Sequence, residues 1–175
     1  MTAGSRGLSI RPYGEKDWAG VWSIMRGVIA AGETYVYDRD LSEARAREIW
    51  LGQAGGAVIV AEAEDGEVIG TAKIGPNHAG PGSHVANASF MVGSAGRGLG
   101  VGYALGSHAI DWATAHGFRA MQFNAVVETN VRAVALWQRL GFSIIGTVPA
   151  AFDHPKHGLV GLHIMHRFLG RDATD

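Results

Sequence analysis

The chain has 175 residues, a length that a single domain spanning residues 1–175 can fill and that allows a substantial core without metals or disulfides. Hydrophobic residues make up 47% of it, which excludes a disordered chain, and a formal net charge of −1 without a basic block gives no reason to expect nucleic acid as a partner. The absence of cysteine excludes a disulfide framework, a thiol nucleophile and a thiolate metal site.

The chain begins with a short polar stretch, Met1 to Gly7, and no apolar run has the features of a signal peptide or a membrane span. We therefore expect a cytoplasmic protein with no membrane partner. Leu8 to Pro12 then predicts a first strand.

Two helices and a β-hairpin are predicted next. Glu15 to Ala31 carries apolar residues at helical spacing. A second helix is predicted from Ser42, a residue type that caps helix starts, to about Gln53. Val58 to Ala63 and Val68 to Ile74 flank an Asp-Gly turn, which predicts a hairpin because this dipeptide accepts positive φ angles.

A glycine-rich segment lies between a predicted strand, Val85 to Val92, and a predicted helix, Gly100 to Ala115. Glycine removes side chains where a ligand would approach the backbone, and the first amides of a helix lack a partner within it. This combination suits a phosphate or pyrophosphate. The segment lacks the lysine of nucleoside triphosphatase loops, and Tyr103 stands where the dinucleotide fingerprint needs its third glycine.

The last third of the chain predicts a strand, a helix, a strand, a long loop and a final strand. Thr129 or Asn130 can cap the start of the helix, which has apolar residues at helical spacing and a glycine at its end. The predicted bounds are Ala120 to Val127, Asn130 to Leu140, Ser143 to Val148, Pro149 to Gly158 and Leu159 to Phe168.

Two motifs give the chain a family resemblance. Arg97-x-x-Gly100-x-Gly102 resembles the acetyl-coenzyme A loop of the GCN5-related N-acetyltransferases, the GNAT superfamily, and the segment from Asn130 to Phe142 resembles the downstream motif of that superfamily. The predicted order β-α-α-β-β-β-α-β-α-β-β is also similar to that of the superfamily. The resemblance implies an α/β fold of the α+β kind: a mixed, mostly antiparallel seven-stranded sheet, splayed between its fourth and fifth strands and flanked by about four helices.

The resemblance also implies acetyl-CoA as co-substrate and indicates where it binds. The pantetheine arm would pair with the free backbone of the fourth strand like an added strand, and the pyrophosphate would lie on the glycine-rich loop. The implied contact residues are Phe90, Met91, Val92, Arg97, Gly98, Leu99, Gly100, Val101, Gly102, Tyr103, Asn130 and Trp137.

Trp137 stands where many family members have a tyrosine that protonates the leaving thiolate. An indole has no acidic proton to give. Tyr103 is near in sequence, but it lies in the expected phosphate-binding turn. We therefore expect protonation by water or by a group that the sequence does not identify, with Trp137 packed against the cofactor arm.

Asn87 and Asn124 lie within two predicted strands that are otherwise apolar. An asparagine inside a central strand costs free energy unless it is fully hydrogen-bonded. Either both bond local backbone groups at the splay, or they position the substrate and polarise the thioester carbonyl. The surrounding pattern resembles one branch of the superfamily, which includes the yeast N-acetyltransferase that acts on azetidine-2-carboxylate and proline derivatives, and this likeness implies the second role.

His84 is the first choice for a general base, because imidazole titrates near neutral pH; the alternative is a structural histidine at the strand start. Weaker alternatives for the base are Glu128, and Glu33 with Asp38 in one loop. Glu33 and Asp38 could instead hold the amine by charge. Tyr35 is a predicted wall of the pocket. Glu33, Tyr35 and Glu128 are thus expected at the substrate.

We predict an N-acetyltransferase that transfers the acetyl group of acetyl-CoA to the amine of a small molecule, an amino acid or an amino-acid-like toxin. Attack would be direct, in a ternary complex, because the chain has no cysteine and no serine with an evident relay. The alternatives are a non-catalytic acyl-CoA-binding sensor and an enzyme acting on protein N-termini or lysines. No metal is expected, since His163 and His166 face opposite sides of a strand, and the resemblance favours a homodimer.

Overall fold

The computed structural model describes residues 7–170 and shows the elements in the predicted order. Of the polar stretch at the N-terminus, only Gly7 lies inside this range. None of the helices within residues 7–170 is long and apolar enough to span a membrane. The elements are β1 (Ser9–Pro12), α1 (Trp18–Ala31), α2 (Glu43–Leu51), β2 (Ala57–Glu62), β3 (Val68–Pro76), β4 (Val85–Val92), α3 (Val101–Ala115), β5 (Ala120–Val127), α4 (Val131–Arg139), β6 (Ser143–His154) and β7 (Gly158–Phe168).

The strands form one seven-stranded sheet in the order β1-β2-β3-β4-β5-β7-β6. All neighbouring strands are antiparallel except β4 and β5, which are parallel. These two pair only where Val85 and Ala86 meet Ala120 and Met121, and beyond this point they separate. The expected splay between the fourth and fifth strands is therefore confirmed.

The two faces of the sheet are covered by different helices. On one face α3 and α4 bury a cluster that includes Leu105, Trp137 and Met121. On the other, α1 and α2 bury Met25 and Trp50 against the sheet. Because side chains alternate along a strand, each strand residue belongs to one of these two faces.

The predicted starts of α2 and α4 are their N-cap residues. The Ser42 hydroxyl accepts a hydrogen bond from the N–H of Arg45 at 3.3 Å, and the Asn130 side-chain oxygen accepts one from the N–H of Ala133 at 3.3 Å. Each cap satisfies an amide that has no partner inside the helix.

The predicted loop from Pro149 to Gly158 is wrong, because β6 continues to His154. Its pairing with β7 shifts register between Val148 and Phe152, and Ala150 there has a φ of 50°. A proline is tolerated at such a bulge because its missing N–H is not needed by the ladder. After the bulge, Phe152 is buried and pairs with Val160, which continues the strand.

Candidate functional site

A cavity of about 1070 Å³ opens where β4 and β5 separate. We call it the main cleft. Its walls come from the separated parts of β4 and β5, the loop before α3, the first turns of α3 and α4, one side of α1, and residues 33–37 between α1 and α2. The splayed sheet thus leaves space for a ligand between two strands.

One end of the main cleft is formed by backbone rather than side chains. Gly98 and Gly100 have φ angles of 76° and 77°, which favour glycine, and a Cβ built on either would meet no other atom within 4 Å. The first intrahelical bond of α3 runs from the Ala104 N–H to the Gly100 oxygen at 3.0 Å, so the amides before Ala104 have no intrahelical acceptor. This end suits an anion.

Of the predicted loop contacts, Arg97, Gly98, Gly100, Val101, Gly102 and Tyr103 line the main cleft. Leu99 does not, and 48% of its surface is exposed. The strand and helix contacts Phe90, Met91, Val92, Asn130 and Trp137 line it as well.

The wall of the main cleft also carries positively charged side chains. Arg97, Arg132 and Arg139 line the cleft, and none takes part in the ion pairs formed within residues 7–170. The Arg139 guanidinium lies over the Tyr103 ring, 4.6 Å from its centroid. Their positive charge adds to that of the helix dipole, which favours a polyanionic ligand.

Trp137 forms part of the wall between α4 and the splayed strands. It is buried, and its ring centroid lies 4.7 Å from that of Phe90 and 4.8 Å from that of Phe123. Gly106 allows this position, because a Cβ there would lie 2.6 Å from Leu140 and 3.0 Å from Trp137. Trp137 thus offers the cleft an apolar surface.

The backbone edge of β4 facing the gap belongs to alternate residues. The Gly93 N–H donates to Ile69 on β3, so by strand alternation the peptide groups of Met91 also face β3, and those of Phe90 and Val92 face the gap. Met91 therefore lines the cleft without presenting its backbone to a ligand in the gap.

The Tyr35 hydroxyl bonds both backbone groups of Phe90. It accepts a hydrogen bond from the N–H at 2.9 Å and donates one to the oxygen at 2.6 Å. The ring also stacks on Tyr37 at 5.5 Å. Burial raises the pKa of Tyr35, so the phenol stays neutral near pH 7. Tyr35 therefore lies on the β4 edge, deep in the cleft.

Glu33 joins the loop between α1 and α2 to the turn between β6 and β7. Its carboxylate pairs with the Lys156 ammonium at 2.5 Å, and this contact lowers the pKa of Glu33. Glu33 lines the main cleft, but its charge is already matched within the chain.

Asn87 and Asn124 line the cleft from β4 and β5. The Asn124 amide nitrogen donates to the side-chain oxygen of Asn77 at 2.7 Å, and its oxygen accepts from Gln122 at 2.8 Å. Asn124 is therefore held by side chains, not by the local backbone groups that one interpretation required.

The structure does not bring His84 or Glu128 to the main cleft. His84 is exposed just before β4, with its Nδ1 3.1 Å from the Pro81 oxygen, which fits the structural alternative. Glu128 accepts a hydrogen bond from the Gly161 N–H and so ties β5 to β7. Neither position gives support for a role as general base.

A second cavity of about 500 Å³, which we call the side pocket, adjoins the main cleft. The two share Tyr37, Asn87, Ala88, Ser89 and Asn124, and α2 with the end of β3 forms the other side. Lys73 and Asn77 line it and were missed by the sequence analysis. The sequence feature that could have revealed Lys73 is its charge, because the predicted strand Val68 to Ile74 carries no other charged residue.

The histidines form no metal centre in the part of the chain that the structure describes, since no group of three or more His, Cys, Asp or Glu side chains there could hold an ion. His163 instead contacts the Thr147 hydroxyl at 2.7 Å. The His154 ring accepts a hydrogen bond from the Lys156 N–H at 3.1 Å.

Comparison with known proteins identifies the family. A model of the acetyltransferase (GNAT) family matches residues 23–142, which include the main-cleft strands, the glycine-rich loop and α4. The chain belongs to the GNAT family. Membership places it in a class of N-acetyltransferases that use acetyl-CoA, and it confirms the resemblance on which the expected fold depended.

Solved structures of GNAT proteins cover nearly the whole chain. A GCN5-related N-acetyltransferase from Kribbella flavida is 54% identical with a TM-score of 0.89, covering 93% of this chain and 98% of that one. A GNAT superfamily phosphinothricin acetyltransferase from Sinorhizobium meliloti, in complex with AcCoA, is 28% identical with a TM-score of 0.84, covering 96% and 92%.

A curated relative matches about half of this GNAT chain. N-acetyltransferase aca1 from Schizosaccharomyces pombe is 34% identical over 84 residues. The match covers 48% of this chain and 40% of the relative. The chain therefore spans less than half the length of that relative.

Proposed function

We propose that this protein transfers the acetyl group of acetyl-CoA to the amine of a small molecule, an amino acid or a compound resembling one, by direct attack in a ternary complex. The observation that carries the proposal is the main cleft, in which a backbone anion site and the edge of β4 that faces the gap lie in one cavity. Family membership supplies the reaction type.

The residues of the main cleft fit acetyl-CoA at both ends. The amides of Gly98 and of Gly100 to Tyr103, with the guanidinium groups of Arg97 and Arg132, would hold the diphosphate. The peptide groups of Phe90 and Val92 would pair with the amide groups of the pantetheine arm, and Trp137 would pack against it. Acetyl-CoA, when bound, supplies an activated acyl group.

The chain itself supplies hydrogen-bond donors near the point of transfer. The side chains of Asn87 and Asn124 line the cleft from the two strands on either side of the gap. Amide groups stay neutral across the physiological pH range, so they can hold a carbonyl oxygen or an amine without changing charge. Donors fixed before the reaction stabilise charge that develops during it.

The position of the loop between α1 and α2 is evidence for a small-molecule acceptor rather than a protein substrate. Tyr35 fixes it to β4, and the Glu33–Lys156 ion pair fixes it to the turn between β6 and β7. After a cofactor arm has displaced the Tyr35 hydroxyl, the Glu33–Lys156 pair still holds residues 33–37 in the cleft wall. A cleft with this wall in place favours a small acceptor over a peptide.

Purified protein incubated with acetyl-CoA and a panel of small amines tests the proposal by thiol release. We expect release above the rate without amine for at least one amino acid or analogue. Release only with peptides carrying a free N-terminus or lysine would contradict the small-molecule assignment.

A second candidate function is a non-catalytic acyl-CoA sensor. It is favoured by Trp137, which stands where many family members have the tyrosine that protonates the leaving thiolate. Tight binding of acetyl-CoA without turnover of any amine would support this candidate.

Asn124→Ala separates a role in turnover from a role in the fold. We expect turnover to fall by roughly 100-fold, because a preorganised donor is lost, while acetyl-CoA affinity stays within twofold. Steady-state kinetics and calorimetry measure the two quantities. Gln138→Ala, an exposed amide on α4 outside the cleft, is the control and should change neither. Equal losses of turnover and affinity in Asn124→Ala would indicate a structural role.

A further inference from the structure

The side pocket lies on the α2 face of the sheet, next to the point where the strands separate. Lys73 on β3 is the register partner of Ser89 on β4, and Asn87 lies two residues before Ser89. These side chains share one face by strand alternation. The pocket therefore extends from the shared wall of the main cleft to Lys73.

Among the charged side chains that line the side pocket, only that of Lys73 forms no ion pair with the residues that the structure describes. Arg45 and Glu48 also line the pocket, and they pair with each other at 2.8 Å. None of the ion pairs formed within residues 7–170 includes Lys73. The pocket consequently carries one uncancelled positive charge.

The contacts of Lys73 satisfy its ammonium group only in part. Its Nζ donates to the Ile49 oxygen at 3.0 Å and lies 5.6 Å from the centroid of the Trp50 ring. An ammonium has three donors, so two remain for a ligand. Burial lowers the pKa of Lys73, which reflects the cost of moving a cation from water, and a bound anion would offset that cost.

We propose that the side pocket binds the acidic end of the acceptor, with the Lys73 ammonium holding a carboxylate or a similar oxyanion. Asn87 and Asn124 lie on the wall between this group and the main cleft, so the amine of the same molecule would face the acyl group. The inference rests on the proposed function and narrows it: the substrate is an amine that carries an anion, as an α-amino acid does.

Matched acceptors that differ only in charge test the proposal. The ratio of kcat/KM for L-methionine to that for L-methioninamide, and for L-proline to L-prolinamide, is measured at one pH in the wild type and in Lys73→Met. We expect the ratio to fall roughly tenfold or more in the variant, mostly through KM, because a charge-assisted hydrogen bond is lost. Comparing ratios cancels the different basicities of the two amines.

Two further variants control the experiment. Lys73→Arg keeps the charge and should retain most of the preference for the acid. Lys16→Met removes the same charge at an exposed site outside the pocket and should leave the ratio unchanged. A lower melting temperature in Lys73→Met with an unchanged ratio would overturn the proposal, because Lys73 would then only satisfy the end of α2.

Competition in the wild type gives an answer that does not depend on the folding of a variant. Propionate should inhibit competitively with the amine and more strongly than propionamide, and equal inhibition would overturn the proposal. If no amine is acetylated, yet propionate raises the melting temperature of the wild type and of Lys16→Met but not of Lys73→Met, the proposed function fails while the anion site stands. No stabilisation by propionate would contradict the site.

Discussion

A single hydroxyl group occupies the strand edge on which the proposed cofactor arm would bind. Tyr35 bonds both the N–H and the oxygen of Phe90, so an arm paired with Phe90 must displace it. Cofactor binding then exchanges two hydrogen bonds for others and does not simply add to them.

Tyr35→Phe should therefore tighten acetyl-CoA binding, by about tenfold if each displaced hydrogen bond has a net strength of about 1 kcal/mol and is partly regained by the hydroxyl elsewhere. Calorimetric titration measures the dissociation constant. Tyr37→Phe keeps the stacked ring pair and is the control, with no change expected. Weaker binding in Tyr35→Phe would show that the hydroxyl contacts the cofactor.

The sequence identified Tyr35 as a pocket wall, but not its bond, because Tyr35 and Phe90 lie 55 residues apart and no local pattern links them. The same limit applies to His84 and Glu128. Both are residue types that suit a base, yet the direction of each side chain depends on the packing of neighbouring strands. Composition and spacing predict which chemistry is available, and tertiary packing decides which side chains reach the cleft.

At the scale of elements, local signals predicted the strand–loop–helix unit around Gly98 and Gly100 well. Positive φ angles, helix caps and the end of α4 depend on a few neighbouring residues, which the sequence shows directly. The course of β6 after Pro149 could not be read in this way. Breakers in that segment indicate a loop, whereas pairing with β7 across a bulge keeps it a strand.

Gly100→Val should abolish acetyl-CoA binding while the fold persists. The valine side chain would enter space that holds no protein atom within 4 Å of the Cβ, where we place the diphosphate. Its positive φ also adds strain of about 1–2 kcal/mol. Calorimetry gives the binding and thermal unfolding gives the stability.

Gly117→Val is the matched control for this experiment. Gly117 has a φ of 80° and equally open space for a Cβ, but it lies after α3, away from the main cleft. It should lose similar stability and keep cofactor binding. Normal binding by Gly100→Val would refute the assignment of the loop.

At the scale of the whole molecule, a buried carboxylate ties the first strand to the first helix. Asp17 is 4% exposed and accepts hydrogen bonds from Arg11 at 2.7 and 2.8 Å and from the Gly14 N–H at 2.8 Å. Arg11 also pairs with Glu62 on β2. The Arg11 guanidinium lowers the pKa of Asp17. The Asp17 carboxylate therefore contributes its full stability at pH values above its pKa in the unfolded protein. This contribution is lost as the pH falls through its lower pKa in the folded protein.

Asp17→Asn should lower the free energy of unfolding at pH 7 by about 3 kcal/mol, because it leaves the Arg11 network without its buried charge. It should also remove part of the stability loss that the wild type shows below about pH 4. Urea unfolding across pH measures both. Glu15→Gln, whose carboxylate is 79% exposed beside Arg47, should cost less than about 1 kcal/mol. An equal loss in the two variants would contradict the buried role.

Only two residue pairs form the backbone ladder between β4 and β5, so β1–β4 and β5–β7 share a continuous ladder only at one end. A ligand that contacts both β4 and β5 at the open end would link the two parts of the sheet where the backbone does not. By mass action such a molecule adds about 2.7 kcal/mol of stability at one hundred times its dissociation constant. The lifetime of this protein in a cell would then follow the supply of the metabolite that it consumes.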